Sequence, residues 1–234
     1  MLEIIISIVV AVILIAIIIF FLFYYGIMSS YHPMKKPKKD AIRVACVGDS
    51  ITYGCMVANH NKNHYPAILN KLLGEDYCVA NFGYTDRTAI KTADKPYVSE
   101  KLYRQSLDFH PNIVVILLGT NDSKEKNWDK EKYFNDYSEI IDGYLNLDSA
   151  PKVYLMIPPP VFEKRGKVLY GLRKDVIDNE ICPIVMQIAR EKQIPYIDLH
   201  EIFKNQPHLF VDGVHPNADG CKLLAQEVYK TIKS

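Results

Sequence analysis

The sequence has almost no charge imbalance: 28 Lys and Arg stand against 27 Asp and Glu, for a formal net charge of +1. With no lysine cluster in its main body, the chain carries no electrostatic footprint for nucleic acid, and none is implied as a partner. Cysteine is scarce as well. Cys46, Cys55, Cys78, Cys182 and Cys221 are odd in number and form no CxxC pair, so neither a disulfide framework nor a zinc site is indicated. Cys46 and Cys78 fall within apolar runs and read as buried thiols that pack as small hydrophobes. Neither GxxxxGKS/T nor GxGxxG follows a strand-like run, which disfavours a nucleotide-binding module. Internal repeats are absent too.

What the chain has in unusual length is apolar residues near its start. Residues 4–25 are almost uninterrupted Ile, Val, Leu, Phe and Ala, broken by Ser7 and closed by Tyr24 and Tyr25. A helix of that length reaches roughly 33 Å, enough for a hydrocarbon core of about 30 Å. The competing reading is a cleaved signal peptide, with an apolar region of about 7–15 residues after a basic start and before a small-residue cleavage site. Here the start is Met1-Leu2-Glu3, without Lys or Arg, and no clear A-x-A site follows. Residues 1–28 are therefore expected to be an uncleaved single transmembrane helix. Residues 29–40, "SSYHPMKKPKKD", read as a basic Pro/Lys linker able to touch anionic headgroups. The positive-inside rule, taken literally, puts that lysine cluster in the cytoplasm; for one anchor with a large following domain both sides stay open. Residues 41–234, about 190 in all, are expected to form one domain with a sizeable core.

In that domain short apolar runs recur: "IRVACV" 42–47, "YCVANF" 77–82, "IVVILL" 113–118, "KVYLMI" 152–157 and "PYIDL" 195–199. They are mostly unbroken rather than alternating, as suits strands buried on both faces. Helix-like stretches lie between them at 65–74, 130–147, 174–191 and 217–233; Gly74 ends the first, and Pro183 either kinks or splits the third. Strand and helix in alternation predict an α/β fold with a five-stranded parallel sheet. In such sheets the working loops sit at the carboxyl ends of the strands.

Polar residues appear at those ends. Gly48-Asp49-Ser50 follows the first run, "NFGYTDRT" ends the second around Gly83, and "GTND" with Asn121 and Asp122 follows the third. "FVDGVHP", with Asp212 and His215, comes after the fifth. Each has a local explanation as a turn or a helix cap. Together they supply what acyl transfer needs: a nucleophile, a base, a group to orient the base, and oxyanion donors. Ser50, His215 and Asp212 suit the first three roles. The Ser50 and Gly83 backbone N–H groups and the Asn121 side-chain amide suit the fourth, glycine because it lets backbone approach a substrate closely. Asp49 reads as a turn stabiliser and Asp122 as support for the loop that aims Asn121.

Ser50 in GDS, Gly83, Asn121 in GTND and His215 in DGVHP resemble, in that order, the four blocks of the SGNH (GDSL-type) hydrolase superfamily. The resemblance spans about residues 42–220. It implies a three-layer α/β/α flavodoxin-like sandwich and a serine esterase working without metal or cofactor, with an Asp-x-x-His pair that Asp212 and His215 supply. Two departures stand out. Ile51 replaces Leu in the first block, and Tyr84-Thr85-Asp86-Arg87-Thr88 is bulkier and more charged than the small residues frequent there, which bears on pocket shape.

"GTNDSKEKNW" 119–128 and "IPPPVF" 157–162 are similar to segments of bacterial carbohydrate O-acetylesterases, which implies an acetylated sugar or glycan as substrate. Trp128 would then stack on a sugar ring, or simply pack. Arg87 would contact an acidic sugar, or hold a surface salt bridge. The rival enzyme reading is a lipase, thioesterase or lysophospholipase acting on membrane-derived acyl esters, which the anchor favours and the lack of a long apolar lid disfavours. An inactive membrane-tethered binding module is the alternative of another class, and it has no need of all of Ser50, Gly83, Asn121, Asp212 and His215. Oligomeric state is not legible.

Overall fold

The computed structural model describes residues 6–7, 10–19 and 37–234. Contacts divide the chain into two units, Met1–Met34 and Lys35–Ser234. In the first, residues 6–7 and 10–19 are helical; the rest of the expected anchor at 1–28, and residues 29–36 of the expected linker, lie outside the described residues. Among the described residues no helix is long and apolar enough to cross a membrane.

The second unit runs β1 (Ile42–Gly48), α1 (Ser50–Tyr53), α2 (His60–Asn63), α3 (Tyr65–Leu73), β2 (Tyr77–Gly83), α4 (Lys101–Asp108), β3 (Ile113–Leu117), α5 (Lys130–Leu145) and β4 (Lys152–Ile157). It continues with α6 (Lys174–Val176), α7 (Cys182–Glu191), β5 (Tyr196–Asp198), α8 (Leu199–Phe203) and α9 (Ala218–Lys233). The strands form one parallel sheet in the order β2-β1-β3-β4-β5. The strand order, not the strand direction, turns back at β1, so the crevice at the carboxyl ends of β1 and β3 is where a doubly wound sheet takes a ligand.

Both faces are covered, and alternate residues of each strand go to opposite sides. Ala45, Val47, Val114, Ile116, Val153 and Leu155 pack under α4, α5 and α7. Val44, Cys46, Val115, Leu117, Met156 and Ile197 pack under α3, α8 and α9. This burial on both sides is why the strands read as continuous apolar runs. The helices start where side chains accept orphan N–H groups: Asp129 from Lys132 at α5, Asn217 from Gly220 at α9, and Asp49 from Ile51 at α1. Gly74, at φ 81°, closes α3 as expected.

The 174–191 stretch is split, one of the two outcomes expected of Pro183: a π-turn at Ile177–Ile181 separates α6 from α7, and Pro183 sits in the first turn of α7. Three other expectations are corrected. β5 ends at Asp198, because that side chain accepts from the Glu201 N–H and starts α8 at Leu199. Cys78 is only half-buried, since β2 is an edge strand. The apolar pattern also passes over α4, whose fully buried position is Ser106; its hydroxyl satisfies itself on the Tyr103 carbonyl and Tyr144 Oη.

The central strand carries the load. Ile116 is fully buried on β3 between β1 and β4. Ile116→Ala is expected to lower unfolding free energy by about 2–5 kcal/mol, measured by urea denaturation; a loss under about 1 kcal/mol would mean the site collapses freely around the cavity.

Candidate active site

Ser50 opens α1 at the carboxyl end of β1, and two constraints hold it there. Asp49 caps the helix, its Oδ1 accepting the Ile51 N–H at 2.9 Å, and Gly54 closes the short helix in a left-handed conformation at φ 92°. The Asp212–His215 turn arrives from the other end of the domain, directly before α9. Asp212 Oδ1 accepts the N–H groups of Val214 and His215 at 2.9 and 2.7 Å, which curls the turn. Gly213, at φ 88°, is required: a Cβ there would lie 2.2 Å from the Phe162 carbonyl oxygen.

The result is a continuous row. His215 Nδ1–H donates to Asp212 Oδ2 at 2.6 Å, and the Ser50 hydroxyl donates to His215 Nε2 at 2.9 Å. A carboxylate on Nδ1 leaves Nε2 as the acceptor facing the serine. Burial alone would push the Asp212 carboxyl up. The hydrogen bonds from the His215 ring and backbone, with one from Tyr170, outweigh it and hold the group below the ordinary carboxylate range. Ser50, Asp212 and His215 are all buried, yet close enough to the surface to retain slight exposure.

Asn121 lies in a tight turn, Asn121–Ser123, just past β3. Its Nδ2 donates to the Arg87 carbonyl at 3.2 Å and to Asp49 Oδ2 at 3.4 Å, so Asp49 touches both the serine turn and the asparagine. Asp122 faces the other way. Its two oxygens accept the Ala89 and Ile90 N–H groups at 3.1 and 2.9 Å, tying the loop after β2 to the loop after β3. Burial pushes the Asp49 carboxyl up to about 6 and the Asp122 carboxyl up to about 7.

Gly83, Arg87 and Trp128 each make contacts of their own: Gly83 departs from its expected role, whereas Arg87 and Trp128 take the salt-bridge and packing alternatives. Gly83 was expected as an oxyanion donor, but its N–H donates to Asn81 Oδ1 at 2.8 Å. Its lack of a side chain serves packing instead: a Cβ would lie 2.2 Å from the Tyr53 nitrogen, so β2 and α1 meet backbone to backbone there. Arg87 is not a free substrate contact. Its Nε donates to Glu100 Oε1 at 2.7 Å, its Nη1 to the Thr85 carbonyl at 2.8 Å, and its guanidinium lies 4.0 Å over the Tyr84 ring. Trp128 packs 5.5 Å from the Tyr133 ring against the core rather than standing free.

Two residues escaped the sequence reading. Asn81 donates from Nδ2 to the Thr52 carbonyl at 2.9 Å, fastening β2 to the helix that carries Ser50. A polar side chain inside an apolar strand was the available signal. Tyr170, from the loop after β4, donates its hydroxyl to Asp212 Oδ2 at 2.7 Å. Nothing local marks it.

A family model for the GDSL-like Lipase/Acylhydrolase family matches residues 46–223. The chain belongs to that family. It is 38% identical over 216 residues to an acetylxylan esterase of Xylanibacter ruminicola, covering 84% of this chain and 44% of that protein. It is 23% identical over 166 residues to a GDSL esterase/lipase of Arabidopsis thaliana, covering 64% of this chain and 51% of the relative. The chain thus spans about half the length of these two curated relatives. Among solved structures it resembles an aryl esterase of M. smegmatis, with TM-score 0.69 and 21% identity over 82% of this chain and 99% of that one. It also resembles Est24, a carbohydrate acetylesterase from Sinorhizobium meliloti, with TM-score 0.67 and 18% identity over 82% and 98%. These two share its fold.

The raised carboxyls have a measurable consequence. Asp122 keeps its proton to about pH 7 in the folded chain but releases it near pH 4 when unfolded. Native protein therefore binds more protons in that window, and this contribution to stability falls as pH rises. Asp49 acts in the same direction, whereas the lowered Asp212 acts below it. Asp122→Asn is expected to flatten the decline in urea midpoint between about pH 4 and 7; a slope equal to wild type would refute the buried, protonated state.

Proposed function

We propose that the chain is a serine esterase that works through an acyl-enzyme on Ser50 and removes O-acetyl groups from a carbohydrate. The observation that carries the ester-hydrolase reading is the hydrogen-bonded row Ser50–His215–Asp212, which matches nucleophile, base and orienting acid in both distance and order.

His215 Nε2 takes the Ser50 proton as Oγ attacks the ester carbonyl. The developing oxyanion is held by the Ser50 N–H and the Asn121 amide. At 3.2 and 3.4 Å the present bonds of Asn121 lie at and beyond the long end of the normal range, so exchanging one for a short bond to a charged oxygen is favourable. His215 then protonates the leaving alcohol, water attacks the acyl-enzyme by the same route, and the acid departs. Asp212 stays ionised throughout and stabilises the imidazolium.

The acetyl-carbohydrate part of the reading is supported by the relative from Xylanibacter ruminicola, through 38% identity across most of this chain. We also infer that residues 4–25 tether the domain to a membrane, on the strength of their unbroken apolar composition.

The purified full chain is expected to hydrolyse p-nitrophenyl acetate. Ser50→Ala should abolish turnover, and Asn121→Ala should lower kcat by about 10²–10³. Absence of turnover by folded wild type would sink the esterase reading. Acetate release from acetylated xylan, and a preference for acetyl over octanoyl and palmitoyl esters, test the substrate; long chains winning by about tenfold would select the membrane-lipid reading instead. For the tether, alkaline carbonate extraction of expressing cells is expected to leave the chain in the membrane pellet, and deletion of residues 1–28 to release it.

A further inference from the structure

Tyr170 is an odd residue to find where it is. It is 52% exposed, yet its backbone adopts φ 63°, a region a bulky side chain occupies only against a steric cost. Strain at such a position points to a constraint imposed from elsewhere. Here the constraint is Asp212. The Tyr170 hydroxyl donates to Oδ2 at 2.7 Å, the same oxygen that accepts His215 Nδ1–H at 2.6 Å, and the Tyr170 ring meets the His215 ring edge-on at 5.6 Å. One side chain thus touches both members of the acid–base pair.

The loop that presents it is pinned at both ends to the site. Before it, the Phe162 N–H donates to the Gly213 carbonyl at 2.8 Å, inside the Asp212–His215 turn. After it, Leu172 is buried and the Arg173 N–H donates to Ser123 Oγ at 3.2 Å, in the turn that carries Asn121. Between these points residues 163–171 form an arch, folded on itself where the Lys164 N–H donates to the Lys167 carbonyl at 2.9 Å. The far side of Tyr170 Oη reaches Met56 Sδ at 4.0 Å, on the loop after α1.

We propose that Tyr170 is a positioning residue, which locks the Asp212 carboxylate and the His215 ring in register with Ser50. The lock follows from geometry: Oδ1 is held by its own turn, and the Tyr170 hydroxyl fixes Oδ2 from a separate loop. Partial burial and the bond to Asp212 push the phenol up to about 12, so it remains a donor throughout the working range. The other ionisable groups near the pair are Asp49 below Ser50, Cys55 beside Asp212, and Asp86 and Lys124 around them. All of these are unchanged when only the Tyr170 hydroxyl is removed.

The effect on turnover rests on the esterase reading; the hydrogen bond and its hold on the Asp212–His215 pair do not. The test is Tyr170→Phe in the full chain, with folding checked by its thermal melt. The His215 Nδ1 proton is followed by NMR, and kcat and KM are measured on p-nitrophenyl acetate. Loss of the hydroxyl is expected to broaden the low-field His215 Nδ1–H resonance as its carboxylate partner is freed. The same loss is expected to lower kcat about threefold to tenfold, with KM unchanged, as the pair loses its register. A folded variant whose Nδ1–H resonance equals wild type would overturn the proposal, as would one whose kcat does. If wild type shows no turnover at all, the esterase reading fails while the Nδ1–H resonance still decides the role of Tyr170.

Discussion

A single 2.9 Å hydrogen bond, from Ser50 to His215, is the constraint that the rest of the domain has to satisfy. The two residues are 165 apart in sequence, and neither sits inside a regular element that would bring it to the other by local geometry alone. Ser50 is placed by β1, whose register against both β2 and β3 ends at Gly48. His215 is placed by the start of α9, which packs with α3 and α8 beneath the opposite sheet face. The bond therefore reports on the sheet, on the helix layer, and on how one lies against the other. A slip of one residue in β1 would turn its inward side chains to the wrong face and carry Ser50 away with them.

Around that bond the site is held from below by two carboxyl groups that water does not reach. Asp49 and Asp122 are both fully buried, an arrangement that desolvation opposes unless hydrogen bonds answer it. Asp49 is answered by the Ile51 N–H and the Asn121 amide, and Asp122 by two backbone N–H groups from the preceding loop. Each carboxyl group joins two loops that come from different strand ends. Close backbone packing does the same work between β2 and α1, where Gly83 leaves no room for a side chain and Asn81 bonds the helix carbonyl. Arch 163–171 adds a tie from above, between the turn of Asp212 and the turn of Asn121.

Much of the fold was legible because buried parallel strands leave a plain mark. Val44 to Val47, Val114 to Leu117 and Val153 to Ile157 are apolar throughout, since both sheet faces are covered. Helix α4 was not legible, because its buried position is a serine that reaches a tyrosine hydroxyl on α5. The π-turn before Pro183 was not legible either: a missing N–H announces a disturbance but does not say whether a helix bends, breaks or widens. At the site, Ser50, Asn121, Asp212 and His215 were picked out by chemistry at strand ends, and the fold brings them to one edge of the sheet. Gly83 was picked out too, as an oxyanion donor, whereas in the structure its N–H is bonded to Asn81. Glycine in a turn signals close approach without saying what approaches.

By itself, then, the sequence determined the alternation of strands and helices, the strand ends that carry polar residues, and the residue types able to perform acyl transfer. These depend on composition and periodicity, which are local. Only the tertiary structure decided which hydrogen-bonding group meets which. It gave the Gly83 N–H to Asn81, the Arg87 guanidinium to Glu100 and the Tyr84 ring, and the second oxygen of Asp212 to Tyr170 as well as to His215. Such pairings turn on a few tenths of an ångström between segments distant along the chain. No local pattern encodes a distance of that kind, because it is fixed by the packing of every layer between the two groups.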